Sequence, residues 1–273
     1  MKTSQKVREI IEKWYHELQF PSKYDAEFYE ALDTIYVSEY SNYAKYDVND
    51  EDGKKNFLHY LYFCEDLKKR YMAKGIPLTY LYDNLEDMPV WLDTWSDIKG
   101  ELYLGELGWF RCIFRMALYK VGRLQFKIGE SYKEVPEVNL HKGDNVLDIH
   151  IPARGALSEE ECLASLRKAG KFFATYFPEF SYEHMMCYSW LLGDNLEGML
   201  KPDSNILKFK ALFDVHSQKE SDGIISFAIG WKKTREDVKK MEFSSRFQNE
   251  IKSRVLAGEP FYAGFGTIKK SIL

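Results

Sequence analysis

The chain has 273 residues, of which 45% are hydrophobic and 29% charged, and its formal net charge is −4 at pH 7. This length suits one large domain or two modest ones, each with a substantial core. The acidic balance argues against a nucleic-acid partner, because binding of phosphates usually requires a positive field. No apolar run approaches the roughly 18 residues of a membrane span, and the N-terminus lacks the apolar core of a signal peptide. We therefore expect a cytoplasmic protein with no membrane partner.

The first hundred residues show the spacing of helices. Apolar residues at helical intervals predict a first helix that ends at Pro21, a second over 22–38, a third around 57–67, and one or two more over 78–98. We assign residues 1–105 to an all-helical N-terminal domain.

Strands and helices alternate in residues 106–273, which we assign to a second domain. Strands are predicted at 123–128, 145–152, 185–192, 223–231 and 261–268. Helices are predicted at 158–176, 204–213 and 244–258. A mixture of this kind predicts an α/β or α+β domain that follows the helical one.

The junction between the strand at 145–152 and the following helix resembles an anion site. Ser158 and Glu161 form the pattern of a capping box. Arg154 can donate charge-assisted hydrogen bonds, and Gly155 lets the main chain approach a phosphate. However, three glutamates at 159–161 open the helix, and they can satisfy its dipole themselves while repelling an anion. Both interpretations stay open on the sequence alone.

The preceding strand places Asp148 and His150 on one face. One interpretation is a catalytic base with its orienting carboxylate, and the other is a half-exposed strand face. Cys187 offers a third candidate, a thiol nucleophile with His150 as its base, although a small buried residue fits it as well. The four cysteines form no CxxC pair, so we expect neither disulfides nor a metal site.

Several stretches together resemble a family of bacterial acyltransferases, which join a helical N-terminal domain to a C-terminal domain similar to the GNAT N-acetyltransferase fold. The stretches that carry the resemblance are LGWFR (107–111), GRLQF (122–126), IHIP (149–152), SLRKAGKFFATYFPE (165–179), CYSWLL (187–192), SNILKF (204–209) and SSRFQNEIKSRVLAGEPF (244–261). They cover roughly residues 105–265.

The resemblance implies a mixed, bent sheet whose two central parallel strands, 146–152 and 185–192, part to admit the pantetheine arm of acetyl-CoA or a longer acyl-CoA. It implies that the loop after the first strand holds the pyrophosphate. The cosubstrate-binding residues it implies are Ile151, Arg154, Gly155, Ala156 and Asn205. Only Arg154, Gly155 and Ala156 keep the GNAT loop pattern, in compressed spacing.

Direct transfer of an acyl group to an amine needs a base, for which His150 is the candidate, with Asp148 to orient it. It also needs a proton donor for the leaving thiolate, for which Ser189 and Tyr188 are candidates. The alternative is a GNAT-like protein without catalysis that binds a small molecule or a partner, which the altered phosphate loop favours. For the helical domain, three roles stay open: a lid, a pocket for a small-molecule acceptor, or a homodimer surface.

Overall fold

The computed structural model describes residues 2–46 and 51–269. The chain divides into two compact units, Met1–Lys120 and Val121–Leu273. The sequence placed this boundary at 105/106. The difference arises because the helix Leu107–Phe114 packs in the first unit, where the ring of Phe114 lies 4.9 Å from that of Tyr60.

The first unit is helical, as predicted. Its helices are α1 (Gln5–Glu17), α2 (Asp25–Thr34), α3 (Gly53–Ala73), α4 (Leu78–Leu85), α5 (Asp87–Lys99) and α6 (Leu107–Phe114). Helix α3 is buried along most of its length, and its Phe57 packs with aromatic rings from α1 and α2. None of the helices in the described part of the chain has both the length and the hydropathy that a membrane span requires.

The second unit is built on a mixed sheet. Its strands are β1 (Leu118–Val121), β2 (Leu124–Glu130), β3 (Asn145–His150), β4 (His184–Ser189), β5 (Asp214–Glu220) and β6 (Tyr262–Lys269), with β1 crossing the boundary between the units. The sheet order is β1-β2-β3-β4-β6-β5. Strands β3 and β4 run parallel, whereas β2 with β3, β4 with β6, and β5 with β6 run antiparallel.

The helices of the second unit are α7 (Glu159–Tyr176), α8 (Asn205–Lys210), α9 (Gly223–Ala228), α10 (Arg235–Lys240) and α11 (Arg246–Leu256). Helix α7 connects the two parallel strands and buries Leu166 and Phe173. The structure thus confirms the predicted fold class, a helical N-terminal region followed by an α/β unit with a mixed sheet.

Three local predictions differ from the structure. Residues 223–231 were predicted as a strand, but α9 occupies 223–228, and Ile224 and Ile225 enter a small apolar core with Val238. A short apolar run does not distinguish a strand from a buried helix, which explains the error. The strands β1 and β5 were missed. β5 is polar and lies at the sheet edge with a bulge, so it lacks the alternation of a half-buried strand.

Candidate functional site

The two central strands of the sheet part towards their C-terminal ends. β3 and β4 are paired at Val146–His184, Leu147–Met185 and Asp148–Met186, and the paired register stops there. Yet β3 continues to His150 and β4 to Ser189. On its other side, β4 stays paired with β6 as far as Ser189. After Asp148 the two strands therefore no longer pair with each other, and we call this stretch, 149–150 on β3 and 187–189 on β4, the slot.

Asp148 lies at the base of this slot in a polar cluster. Its Oδ2 is 3.3 Å from His150 Nε2 and 3.2 Å from Nζ of Lys127, its register partner on β2. The Asp148 side chain is 14% exposed and that of His150 is 30% exposed. Burial raises the pKa of Asp148, but the contact with His150 and the charge of Lys127 outweigh it, so the pKa lies below its ordinary value. Asp148 is therefore an anion at neutral pH.

An ionised Asp148 determines the state of the His150 ring. A carboxylate only accepts hydrogen bonds, so it favours the tautomer that carries hydrogen on Nε2. The lone pair is then on Nδ1, and this nitrogen can accept a proton. The pair predicted from strand alternation is thus in contact, and its arrangement suits a base oriented by a carboxylate.

Two tyrosines belong to the same region. Met186 is the register partner of Asp148, so Tyr188, two residues further along β4, lies on the face of Asp148 and is 45% exposed. Tyr132 lies close by, with its ring 5.9 Å from that of Phe265, the register partner of Tyr188. Burial, helped by the charge of Asp148, raises the pKa of Tyr132 to about 12. Tyr132 therefore keeps its proton at neutral pH.

The opposite face of β4 carries Cys187 and Ser189. On β3, the same face of the sheet carries Leu147 and Ile149. The Ser189 hydroxyl accepts a hydrogen bond from Leu191 N–H at 3.2 Å, which caps a short 3-10 helix at Trp190–Leu192. Cys187 is fully buried, and burial raises the pKa of its thiol well above the ordinary value. A buried, protonated thiol facing away from His150 does not suit a nucleophile.

The predicted phosphate loop follows β3 directly. Ile151 is half-buried where it leaves the strand, and Arg154, Gly155 and Ala156 are exposed. Gly155 has φ +90, a left-handed conformation that favours glycine. Ser158 caps α7 as predicted: its hydroxyl accepts from Glu161 N–H at 3.3 Å and donates to Glu161 Oε2 at 2.7 Å. One of the three glutamates is therefore engaged in the cap.

Asn205 is separate from these groups. It is the first residue of α8 and is exposed, and Ser204 caps that helix. Within residues 2–46 and 51–269, no hydrogen bond or ion pair joins Asn205 to the loop at 151–157. The structure thus groups Asp148, His150 and Tyr188 on one face, the loop at the end of β3, and Asn205 apart.

Lys127, Tyr132 and Arg123 were missed by the sequence analysis. Lys127 contacts Asp148 only through the register of β2 with β3, and Tyr132 lies in a turn that precedes β3. Arg123 lies in the turn between β1 and β2, where its guanidinium donates to the main chain of the phosphate loop. The alternation of side chains along β2 could have placed Lys127 on one face of the sheet. It could not have shown that Asp148 of β3 lies opposite, because local spacing does not encode which residues of two strands pair.

Comparisons with known proteins agree with this architecture. Among solved structures, an acyltransferase in complex with decanoyl-CoA has a TM-score of 0.71 at 21% identity, covering 96% of this chain and 77% of that chain. An acyltransferase in complex with decanoyl-CoA and teicoplanin has a TM-score of 0.70 at 21% identity, and a mutant acyltransferase in complex with octanoyl-CoA has 0.70 at 20%. Each of these two covers 81% of this chain and 69% of its own. At such identities the likeness establishes the fold.

A search of curated proteins finds no significant match. The sequence model of one family, described as the GNAT-like C-terminal domain, matches residues 118–268. This match covers more than half of the 273-residue chain and coincides with the sheet that holds the slot and the phosphate loop. The protein therefore belongs to the GNAT-like C-terminal domain family.

Proposed function

We propose that the protein is an acyltransferase that moves an acyl group from acyl-CoA to an amine of a small-molecule acceptor. The observation that carries this proposal is the slot between β3 and β4, where paired register ends at Asp148–Met186 although both strands continue. Main-chain N–H and C=O groups at such a slot need partners. The amide groups of a pantetheine arm can supply them.

The side chains on one face of this slot suit direct transfer. The lone pair of the neutral amine nitrogen bonds to the thioester carbonyl carbon, and His150, oriented by Asp148, accepts the proton that this nitrogen loses as the bond forms. The C–S bond then breaks, and its electron pair stays on sulfur. Tyr188 donates its hydroxyl proton to the leaving thiolate. His150 afterwards releases its proton to solvent, and Tyr188 regains one, so the protons balance.

Tyr188 is favoured over Ser189 as the proton donor. Tyr188 shares the face of His150 and is 45% exposed. Ser189 points to the opposite face, and its hydroxyl caps the 3-10 helix that follows β4. The two side chains differ in direction because adjacent residues of a strand point to opposite faces of the sheet.

The donor test is a thermal-shift titration with acetyl-CoA, octanoyl-CoA and decanoyl-CoA. A donor that binds only the folded protein at 100 times its Kd stabilises it by about 2.7 kcal/mol, which raises the melting temperature. We expect a shift with at least one of the three donors. The absence of a shift with all of them would contradict the proposal.

A non-catalytic binding protein is the second candidate, favoured by the glutamates at 159–161 beside the compressed loop. Release of CoA thiol in the presence of amines separates the two candidates. Teicoplanin is a suitable first acceptor, because a structural neighbour was solved with it. Donor binding without thiol release across a broad amine panel would favour the second candidate.

A further inference from the structure

Arg123 reaches across from the β1–β2 turn to the loop that follows β3. Its Nε donates to the carbonyl oxygen of Ala156 at 2.7 Å, and its Nη2 donates to that of Gly155 at 3.1 Å. One planar guanidinium thus holds two consecutive carbonyl groups. This fork geometry is specific to arginine, since lysine presents a single nitrogen.

These two bonds fix the direction of the neighbouring N–H groups. In a planar trans peptide the C=O and N–H vectors are opposed. The N–H groups of Ala156 and Leu157 therefore point away from Arg123. In the described part of the chain, neither group donates a hydrogen bond. Two consecutive N–H groups are presented on the side of the loop that Arg123 does not occupy, in the manner of an anion-binding nest.

The turn that carries Arg123 is itself fastened to α7. The buried Ser165 hydroxyl of α7 accepts from Leu124 N–H at 3.0 Å and donates to the carbonyl oxygen of Val121. Gly122 has φ +72, and a Cβ added to it would lie 3.4 Å from the Cβ of Ser165, so the turn runs close to this helix. The turn that carries the guanidinium is therefore anchored to the same helix that the phosphate loop precedes.

Arg123 also places a positive charge behind the loop. Its Nη1 is buried and has no hydrogen-bond partner among the described residues. An arginine stays charged in proteins. This charge counters the glutamates of the first turn of α7, of which Glu161 is already engaged with Ser158. The altered loop pattern is thus compensated by a cation from another part of the sequence.

We infer that Arg123 is a positioning residue that holds the 151–158 loop so that the N–H groups of Ala156 and Leu157 face the diphosphate of the acyl-CoA donor. The inference rests on the proposed function. In this arrangement a guanidinium holds the loop through its main-chain carbonyl groups. A loop that keeps only part of the GNAT pattern can then still receive an anion.

The test compares wild type with Arg123→Gln, Arg123→Lys and the control Arg167→Gln, which removes an exposed arginine of α7. Calorimetry measures the Kd of decanoyl-CoA and of S-decanoyl-pantetheine, which lacks the diphosphate. We expect both Arg123 variants to bind decanoyl-CoA about tenfold more weakly, as the loss of about 1.4 kcal/mol implies. S-decanoyl-pantetheine should bind them as it binds wild type, and the control should match wild type with both donors.

Trypsin cleavage after the exposed Arg154 gives a readout that needs no donor. We expect Arg123→Gln and Arg123→Lys to be cleaved there several times faster than wild type, with other sites unchanged.

Equal losses of affinity for decanoyl-CoA and for S-decanoyl-pantetheine would show that Arg123 only supports the fold in general. Wild-type behaviour of Arg123→Lys would show that charge alone matters, and either result overturns the inference. If wild type binds none of acetyl-CoA, octanoyl-CoA and decanoyl-CoA, the proposed function and the diphosphate assignment both fail. Unchanged cleavage in the variants refutes only the hold of Arg123 on the loop.

Discussion

At the scale of single residues, the proposed base His150 lies in a polar cluster with Asp148 and Lys127. The Lys127 ammonium and the His150 ring converge on one carboxylate oxygen. Despite burial, the contact with His150 and, after it, the charge of Lys127 hold the pKa of that carboxyl below its ordinary value, and the carboxylate in turn favours one tautomer of His150. Mutation of His150, Asp148 or Lys127 therefore tests the same proposed base in three ways.

Replacing His150 by alanine should remove the base without removing the slot. We expect the rate of CoA release with a working acceptor to fall by about 10²–10⁴-fold, which is the usual contribution of a general base. The Kd of decanoyl-CoA should change little. Stopped-flow detection of free thiol measures the rate, and calorimetry measures the Kd. A variant that turns over at the wild-type rate would exclude His150 as the base.

Tyr188 and Ser189 form a matched pair, because they are adjacent in β4 but face opposite sides of the sheet. Tyr188→Phe should slow turnover by at least about tenfold while the melting temperature stays near that of wild type. Ser189→Ala should instead lower the melting temperature, since it removes a cap worth about 1 kcal/mol, and leave turnover almost intact. The reverse pattern would assign the proton donor to Ser189.

At the scale of elements, glycines let the segment that follows β4 pack closely on β6. After Ser189 the 3-10 helix Trp190–Leu192 lies against β6. A Cβ at Gly264 would collide with the carbonyl oxygen of Leu192, and one at Gly193 would collide with that of Tyr262. The two segments therefore approach main chain to main chain. The chain that follows β4 thus lies on the β6 side.

Substituting Gly264 by alanine should disturb this crossing. We expect a loss of about 1–3 kcal/mol in the free energy of unfolding, as for other overpacked sites, together with weaker binding of decanoyl-CoA. Gly129→Ala in β2 is the control, because its added Cβ would meet only the flexible end of Lys127 at 4.0 Å. Urea titration measures the stability and calorimetry the Kd. Equal stability of the two variants would contradict this account of the close packing on β6.

At the scale of the whole molecule, each unit contains a partly buried carboxylate whose pKa is lowered. In the first unit, burial raises the pKa of Glu65, but hydrogen bonds from Lys13 at 3.1 Å and Trp14 at 3.2 Å outweigh it. In the second unit, Asp148 is the counterpart. A lowered folded-state pKa means that the unfolded chain binds protons first as the pH falls.

The stabilisation from these carboxylates is therefore complete above their unfolded pKa values, near about 4, and is lost as the pH falls through the lower folded values. We expect Glu65→Gln and Asp148→Asn to melt below wild type at pH 7, with the difference shrinking as the pH falls below about 4. Calorimetric scans at several pH values measure the melting temperatures. A difference that stays constant with pH would show that the carboxylates contribute no linked stability.

Local patterns in the sequence determined much of this protein. Helical spacing predicted the N-terminal helices, Ser158 and Glu161 predicted the start of α7, and strand alternation put Asp148 and His150 on one face. The motif resemblance predicted the GNAT-like fold, which the family match confirms. These features succeed because capping, helical periodicity and strand periodicity depend on residues that are near one another in the chain.

Only the tertiary structure decided which distant segments meet. The contact of Lys127 with Asp148 depends on the register of β2 with β3. The hold of Arg123 on the loop depends on the β1–β2 turn lying against α7. The end of pairing between β3 and β4 after Asp148 depends on how these two strands, which are separated in sequence by α7, align in the sheet. The apolar run at 223–231 became helix α9 because neighbouring helices cover its buried face. The register of paired strands and the burial of one helix face by other helices both arise from packing between segments far apart in sequence. Local spacing therefore specifies neither of them.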